Sequence, residues 1–250
     1  MRYILNADDF GRTKTVNQAI VYGFDHCYLD RTSIMVNMPY FEEAVQIAKT
    51  HDIMDKVGLH INLTSGEPLS EPIKEIKSFC DENGKFNGKI FIDRRLMLFL
   101  TVKEKVAVKN EICAQIEKYL QYDFRLLHAD SHGHVHTFPS LQNVILKSLK
   151  YYGFKSVRIS ANLHSTGLAK YRKWILNRKL IQYNNLQGDE TEYFDSFKRV
   201  LLKFRESDMI ESVCEVMLHP NIFDGDMQIG EGLHYEDLQN LKNTMNNNQI

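Results

Sequence analysis

Short apolar runs separated by longer amphipathic segments recur along most of the chain, and this alternation restricts the fold more than any other feature. Runs near residues 2–6, 33–37, 57–63, 125–129, 155–159 and 213–218 have the length and side-chain content of buried strands. The segments 14–29, 40–51, 104–121, 139–152, 194–206 and 234–246 carry apolar residues at helical spacing, as in Ala107, Ile112, Ile116 and Leu120. Strands that feed helices in this order build βαβ units around a mainly parallel sheet, so the predicted class is α/β. A chain of 250 residues matches the usual length of a single barrel of such units. With no internal repeat and no shift in composition, residues 1–250 read as one domain.

One stretch departs from the alternation. Between Thr64 and Lys89, Gly66, Pro68, Pro72, Gly84 and Gly88 interrupt any long regular element, which predicts a long excursion on one face, a substrate cover or a connection. Charge excludes some functions: 31 basic against 32 acidic side chains leave a formal net charge of -1, with no bulk attraction to nucleic acid or an anionic membrane. The four cysteines are scattered, which argues against a disulfide framework and a cysteine zinc site. No apolar run has the length of a membrane span or the form of a signal peptide, so the sequence predicts a cytoplasmic protein.

Four polar signals fall at or near the ends of predicted strands. Asn6-Ala7-Asp8-Asp9-Phe10-Gly11 sets two adjacent carboxylates after an apolar strand, where they repel unless a cation or proton is shared. His60 interrupts the strand Val57–Leu63, and His219-Pro220 closes the strand Val213–Leu218. A capping Asp, a core His and a turn-forming His-Pro account for each of these taken singly. The fourth signal is more specific: His128-Ala-Asp-Ser-His-Gly-His-Val-His136 packs four imidazoles and one carboxylate into nine residues, a density that serves metal binding or proton transfer. In a barrel of parallel strands all C-terminal strand ends share one face, where these groups would converge. One carboxylate and two imidazoles leave coordination positions open for water and substrate, as a catalytic divalent metal requires.

At these motifs the chain resembles the YdjC-like carbohydrate deacetylases, the family that contains bacterial chitooligosaccharide and hopanoid-pathway deacetylases. The matching stretches are Asn6–Gly11, Arg31–Asn37, Gly58–Thr64, His128–His136 and Glu215–Pro220, in the family's order. The resemblance implies a distorted, TIM-like (β/α) barrel, one divalent metal ion and removal of an acetyl group from an N-acetylated sugar. It also implies that Asp9, His60 and His132 bind the metal and that Asp8 accepts the proton, a division similar to that in the more distant nodulation-type polysaccharide deacetylases. His219 is the first choice for the general acid. His134 and Asp130 are expected to orient ligands, and Arg158 to hold Asp8 ionised or to contact sugar hydroxyls.

An oxygen-and-imidazole set accepts magnesium or zinc first, and also cobalt, nickel or manganese. The expected partners are the sugar and a second copy of the chain in a homodimer. The sequence departs from the chitooligosaccharide deacetylase at Gly133, the middle of what is there a run of three His, and beyond Gly225 the resemblance fades. The tail Asn246–Ile250 is expected to stop short of the family's last strand, giving a slightly incomplete barrel closure or a variant C-terminus. Rival readings are another metal-dependent amidohydrolase or phosphoesterase, and a sugar-binding relative without catalysis.

Overall fold

The structure is a computed structural model that describes residues 2–189, 191–206, 212–230 and 232–240. Seven parallel strands make one curled sheet in the spatial order β5-β4-β3-β2-β1-β7-β6. They are β1 (Arg2–Phe10), β2 (Arg31–Ile34), β3 (Val57–Ile61), β4 (His128–Ser131), β5 (Ser156–Val157), β6 (Thr191–Ser196) and β7 (Val213–Leu218). Helices α1 (Lys14–Asp25), α2 (Phe41–Thr50), α3 (Glu71–Lys74), α4 (Arg94–Leu98), α5 (Val102–Gln121), α6 (Pro139–Tyr151), α7 (Gly167–Gln187) and α8 (Phe197–Glu206) connect them. A second, antiparallel sheet joins β8 (Asn221–Phe223), β9 (Asp226–Gly230) and β10 (Leu233–His234) beyond β7. Residues 235–240 are helical, and the rest of the predicted 234–246 helix lies outside the described residues, as does the tail from Asn246.

Strands β2 to β5, β7 and the second half of β1 are buried on both faces, and successive side chains point to opposite faces. One alternate set, including Leu5, Ala7, Ile34, Leu59, Ile61, Ala129, Val157, Val216 and Leu218, joins the apolar cluster that the helices cover. The opposite set is polar: Asn6, Asp8, Arg31, Ser33, His60, His128, Asp130, Arg158 and Glu215 are all buried and bonded to one another. Barrels of this kind usually fill the interior with branched apolar side chains. Here the interior is an ion-pair network.

The two edge strands do not pair directly. Asn162 bridges them instead: its backbone N–H donates to Phe194 O (3.1 Å), and its side chain accepts from Phe194 N (3.1 Å) and donates to Glu192 O (3.0 Å). The free edge beyond β5 is satisfied from α7, where Asn184 bonds both Val157 N and Val157 O, and Asn177 bonds Ser160 N and Ser160 O. This explains why apolar periodicity misses α7. Its buried residues include two asparagines, while Leu168, Tyr171, Trp174 and Ile175 are exposed. Strand β6 also escapes the pattern, because Thr191-Glu-Tyr-Phe-Asp-Ser is mostly polar at the sheet's edge, and residues 194–196 read as helix are strand.

The excursion after β3 is built rather than free. Glu111, fully buried on α5, accepts from Leu69 N (3.0 Å) and Ser70 N (2.7 Å), and the Asn62 side-chain oxygen caps Thr64 and Ser65. Ile73, Ile76, Phe79, Phe86 and Ile90 then bury against the main core. On α5 itself Thr101 and Glu104 form a capping box, which starts the helix at Val102, two residues before the predicted onset.

Candidate metal centre

Adjacent residues of a regular strand point to opposite faces, yet both Asp8 and Asp9 reach the polar end of the barrel. The register of β1 against β2 shifts between Ala7 and Phe10, and Asp9 adopts a left-handed backbone with φ 71°. A bulge of this type re-aims a side chain next to a site, and Asp is one of the few residues that tolerates it.

Asp9 Oδ1 lies 2.9 Å from His132 Nδ1 and 3.3 Å from His60 Nε2, and one donor atom from each of the three residues falls within 4.8 Å of the others. The other Asp9 oxygen is held by Arg12 at 2.7 Å. His60 Nδ1 donates to Asp130 Oδ1 at 2.6 Å, which fixes the ring and leaves Nε2 buried without a well-formed hydrogen bond. That is the arrangement of a ligating imidazole whose second nitrogen is oriented by a carboxylate. His132 reaches the set because the following turn is left-handed at Gly133 (φ 61°) and His134 (φ 56°). It is the partly exposed member of the trio, so the set opens to solvent on that side.

A second group, Asp8, His60 and Asp130, is equally compact. Its oxygens are already committed. Arg158 donates to both oxygens of Asp8 (2.6 and 2.7 Å), and Asp130 Oδ2 accepts from Ser33 (2.9 Å) and faces Arg158 (2.7 Å). The Asp9, His60 and His132 set therefore fits a divalent cation better.

Arg158 is fully buried and meets three carboxylates, the third being Glu215 at 2.6 Å, so its guanidinium is spent inside the barrel and not on sugar hydroxyls. Glu215 also faces Arg31 at 2.6 Å and His128 at 3.7 Å. Burial works against ionisation of Glu215, but Arg158 and Arg31 hold its carboxyl well below the usual range. Burial likewise opposes ionisation of Asp9, and the His132 hydrogen bond with the adjacent His60 ring reverses it to well below the ordinary value. For His60 burial favours the neutral ring, whereas the Asp130 charge and hydrogen bond push its pKa up to about 10. Four carboxylates, Asp8, Asp9, Asp130 and Glu215, thus meet three arginines, Arg12, Arg31 and Arg158. The missing positive charge is a proton on His60 or a cation.

The remaining imidazoles separate by environment. His136 Nε2 donates to Arg158 O (2.9 Å) and Nδ1 accepts from Ser131 (2.6 Å); burial pushes its pKa down to about 3, so it is a neutral brace. His128 bonds Ser156 at 2.8 Å. His134 packs edge-on against Phe194 (5.4 Å), its Nδ1 has no partner, and burial followed by the Arg158 charge lowers its pKa to about 4. His219 is exposed, one residue past β7, and the Ala7↔Leu218 register puts it beside Asp8 at the same rim. Its backbone N–H donates to Ile229 O (2.9 Å), which ties it to the small sheet.

Sequence reasoning did not single out Arg12, Arg31, Ser33 or Glu215. The signal for two of them, Arg31 and Ser33, is a polar residue two positions from another on a strand buried on both faces, while Glu215 stands alone among apolar residues of its strand. Grooves of about 930 Å³ between α4, α5 and α6 and about 830 Å³ between α7 and β6 open elsewhere and include none of the acids and imidazoles of the centre.

Fold and site together define a parallel β/α barrel with a carboxylate–imidazole centre at the C-terminal rim of its strands. The chain belongs to the YdjC-like protein family, whose model matches residues 2–246. The match therefore runs past Gly225, further than the motifs carry it. Similar proteins include the carbohydrate deacetylases of Clostridium beijerinckii (29% identical, 100% of this chain and 93% of the relative) and Vibrio vulnificus (32%, 93% and 83%). That of Brevibacillus brevis is 30% identical over 97% of this chain and 90% of its own. Among solved structures, a candidate cellobiose-phosphate cleavage protein from Enterococcus faecalis V583 superposes with a TM-score of 0.69 at 23% identity, covering 89% of this chain and 82% of that one. The last likeness supports the fold alone.

Proposed function

We propose that this protein is a carbohydrate N-deacetylase: a hydrolase that releases acetate from an N-acetylated sugar, a chitooligosaccharide or related glycan, with one divalent metal ion held by Asp9, His60 and His132. The observation that carries the reading is the buried, unpartnered Nε2 of His60, aimed at Asp9 and oriented by Asp130. The names of the deacetylase relatives support it. When bound, a divalent ion supplies Lewis acidity to a carbonyl oxygen and acidifies water. Asp8 accepts the proton of the attacking water, its two oxygens aligned by Arg158. His219 donates a proton to the departing amine nitrogen from the rim. Asp130 holds the His60 ring, and His134 stays neutral beside it. Magnesium and zinc suit the donor set first.

Acetate release from N-acetylglucosamine oligomers by metal-loaded protein tests the reading, with phosphate or ammonia release from a substrate panel as the opposing result. Metal binding tests the ligand set. His60→Ala and His132→Ala are each expected to lower zinc affinity by more than the 10–100-fold typical of an outer partner, and Asp130→Asn to stay within that span. Unchanged zinc stoichiometry and affinity in both alanine variants would remove them from the set.

A single domain, a cytoplasmic location and a symmetric dimer belong to the same reading. The scattered cysteines suit a reducing compartment, and exposed Leu168, Tyr171, Trp174 and Ile175 on α7 offer apolar surface to a second copy. No helix among the described residues is long and apolar enough to cross a membrane. Light scattering at micromolar concentration is expected to return twice the chain mass, and a monomer mass would end the dimer.

A further inference from the structure

Gly133 sits between His132 and His134, and what surrounds it is an aromatic ring. A Cβ built on Gly133 would lie 2.2 Å from both Cε1 and Cζ of Phe91. A side chain there would force the Phe91 ring to move, and the left-handed φ of 61° favours glycine a second time. The ring thus occupies the volume where a side chain at position 133 would project, directly against the loop that carries a candidate ligand.

Phe91 is held there by design of its turn. Asn87 accepts from Lys89 N (2.9 Å), Phe91 N donates to Gly88 O (3.1 Å) and Asp93 N to Lys89 O (2.8 Å), while the preceding Ile90 is buried in the core. Yet the Phe91 side chain is 42% exposed, so the anchor of this segment is Ile90 and the aromatic ring is left at the surface. A large apolar ring presented to solvent on a rigid turn, in contact with the backbone between two imidazoles of the centre, has a use that core packing does not explain.

We infer that Phe91 is the platform on which the substrate's pyranose ring rests, and therefore a residue that determines which sugars the centre accepts. The inference rests on the proposed carbohydrate substrate. A pyranose has faces of C–H groups and a rim of hydroxyls, so it pairs with a flat aromatic face while its polar rim stays hydrated or meets polar groups. Gly133 lets the ring lie close to the His132 backbone, which brings a stacked sugar and its acetamide to the metal centre.

The test uses full-length, zinc-loaded protein with N,N′-diacetylchitobiose as the probe, and variants Phe91→Ala, Phe91→Leu and Phe91→Tyr. NMR line broadening of the disaccharide reads binding without turnover, and acetate release reads kcat and KM. Phe91→Ala and Phe91→Leu are expected to weaken binding and raise KM about 5–50-fold, by analogy with a nucleobase that loses its aromatic stacking partner, with kcat and zinc content unchanged. Phe91→Tyr keeps wild-type values. Leucine separates the roles, since it preserves an apolar cover over Gly133 but has no flat face. Wild-type affinity in the alanine variant, or full rescue by leucine, overturns the platform. A wild-type protein that binds the disaccharide without releasing acetate retires the deacetylase reading and leaves the platform measurable by the same binding experiment.

Discussion

Asp8→Asn is expected to keep metal content and sugar affinity while losing turnover by about 10²–10⁴-fold, the usual effect of removing a positioned general base. The substitution is nearly isosteric, and Arg158 retains Asp130 and Glu215, so the barrel interior should survive it. Asp9→Asn is the internal control. Asn tolerates a left-handed backbone as Asp does, so the φ of 71° adds little cost, and the change removes the carboxylate that faces both His60 and His132. That variant should lose the metal first and activity as a consequence. Zinc content, disaccharide binding and acetate release measured on both proteins separate the two roles. Near-wild-type turnover in Asp8→Asn, or metal loss there with retention in Asp9→Asn, would show that the adjacent acids are assigned the wrong way round.

What the sequence discloses follows from where a residue's signal lies. Asp8, Asp9, His60 and His132 stand out in combination, since each has a local explanation but all lie at or near the ends of apolar strands. Barrel geometry then brings them to one rim. Arg31, Ser33 and Glu215 give a weaker signal, since a polar residue inside a strand reads equally well as facing solvent, and only curling of the sheet turns it inward. Arg12 lies in the turn after β1, and nothing local shows that its side chain folds back onto Asp9. Helix α7 and strand β6 escape because their stabilising contacts are polar: Asn177 and Asn184 satisfy an open edge by hydrogen bonds, which leaves no apolar stripe to read. The left-handed conformation of Asp9 is equally hidden, because φ is set by the bulge against β2 rather than by the residue type.

Replacing Arg158 should have the largest effect on stability of any single change. Its guanidinium is fully buried and compensates Asp8, Asp130 and Glu215, all within 2.7 Å. Arg158→Met fills much of the same volume but leaves carboxylates in a low-dielectric interior, and removing one partner of a buried ion pair costs about 3–5 kcal/mol. Against a total stability of about 5–15 kcal/mol for an ordinary domain, the variant should be barely folded at neutral pH. Lysine should restore little, because one ammonium cannot present the fork that grips Asp8 by both oxygens and reaches two further acids. The pH dependence carries the signature. Without Arg158, Asp130 and Glu215 take up protons more readily in the folded state than in the unfolded chain, so their folded pKa values rise above the unfolded values near about 4. A raised acid contributes stability that is present below its unfolded pKa and is lost as pH rises through the folded one. The deficit relative to wild type should therefore shrink from pH 8 to pH 5. Urea melts of both proteins at the two pH values measure it, and a loss under about 1 kcal/mol, or a deficit that does not change with pH, would mean that Arg158 is not the charge that keeps this interior folded.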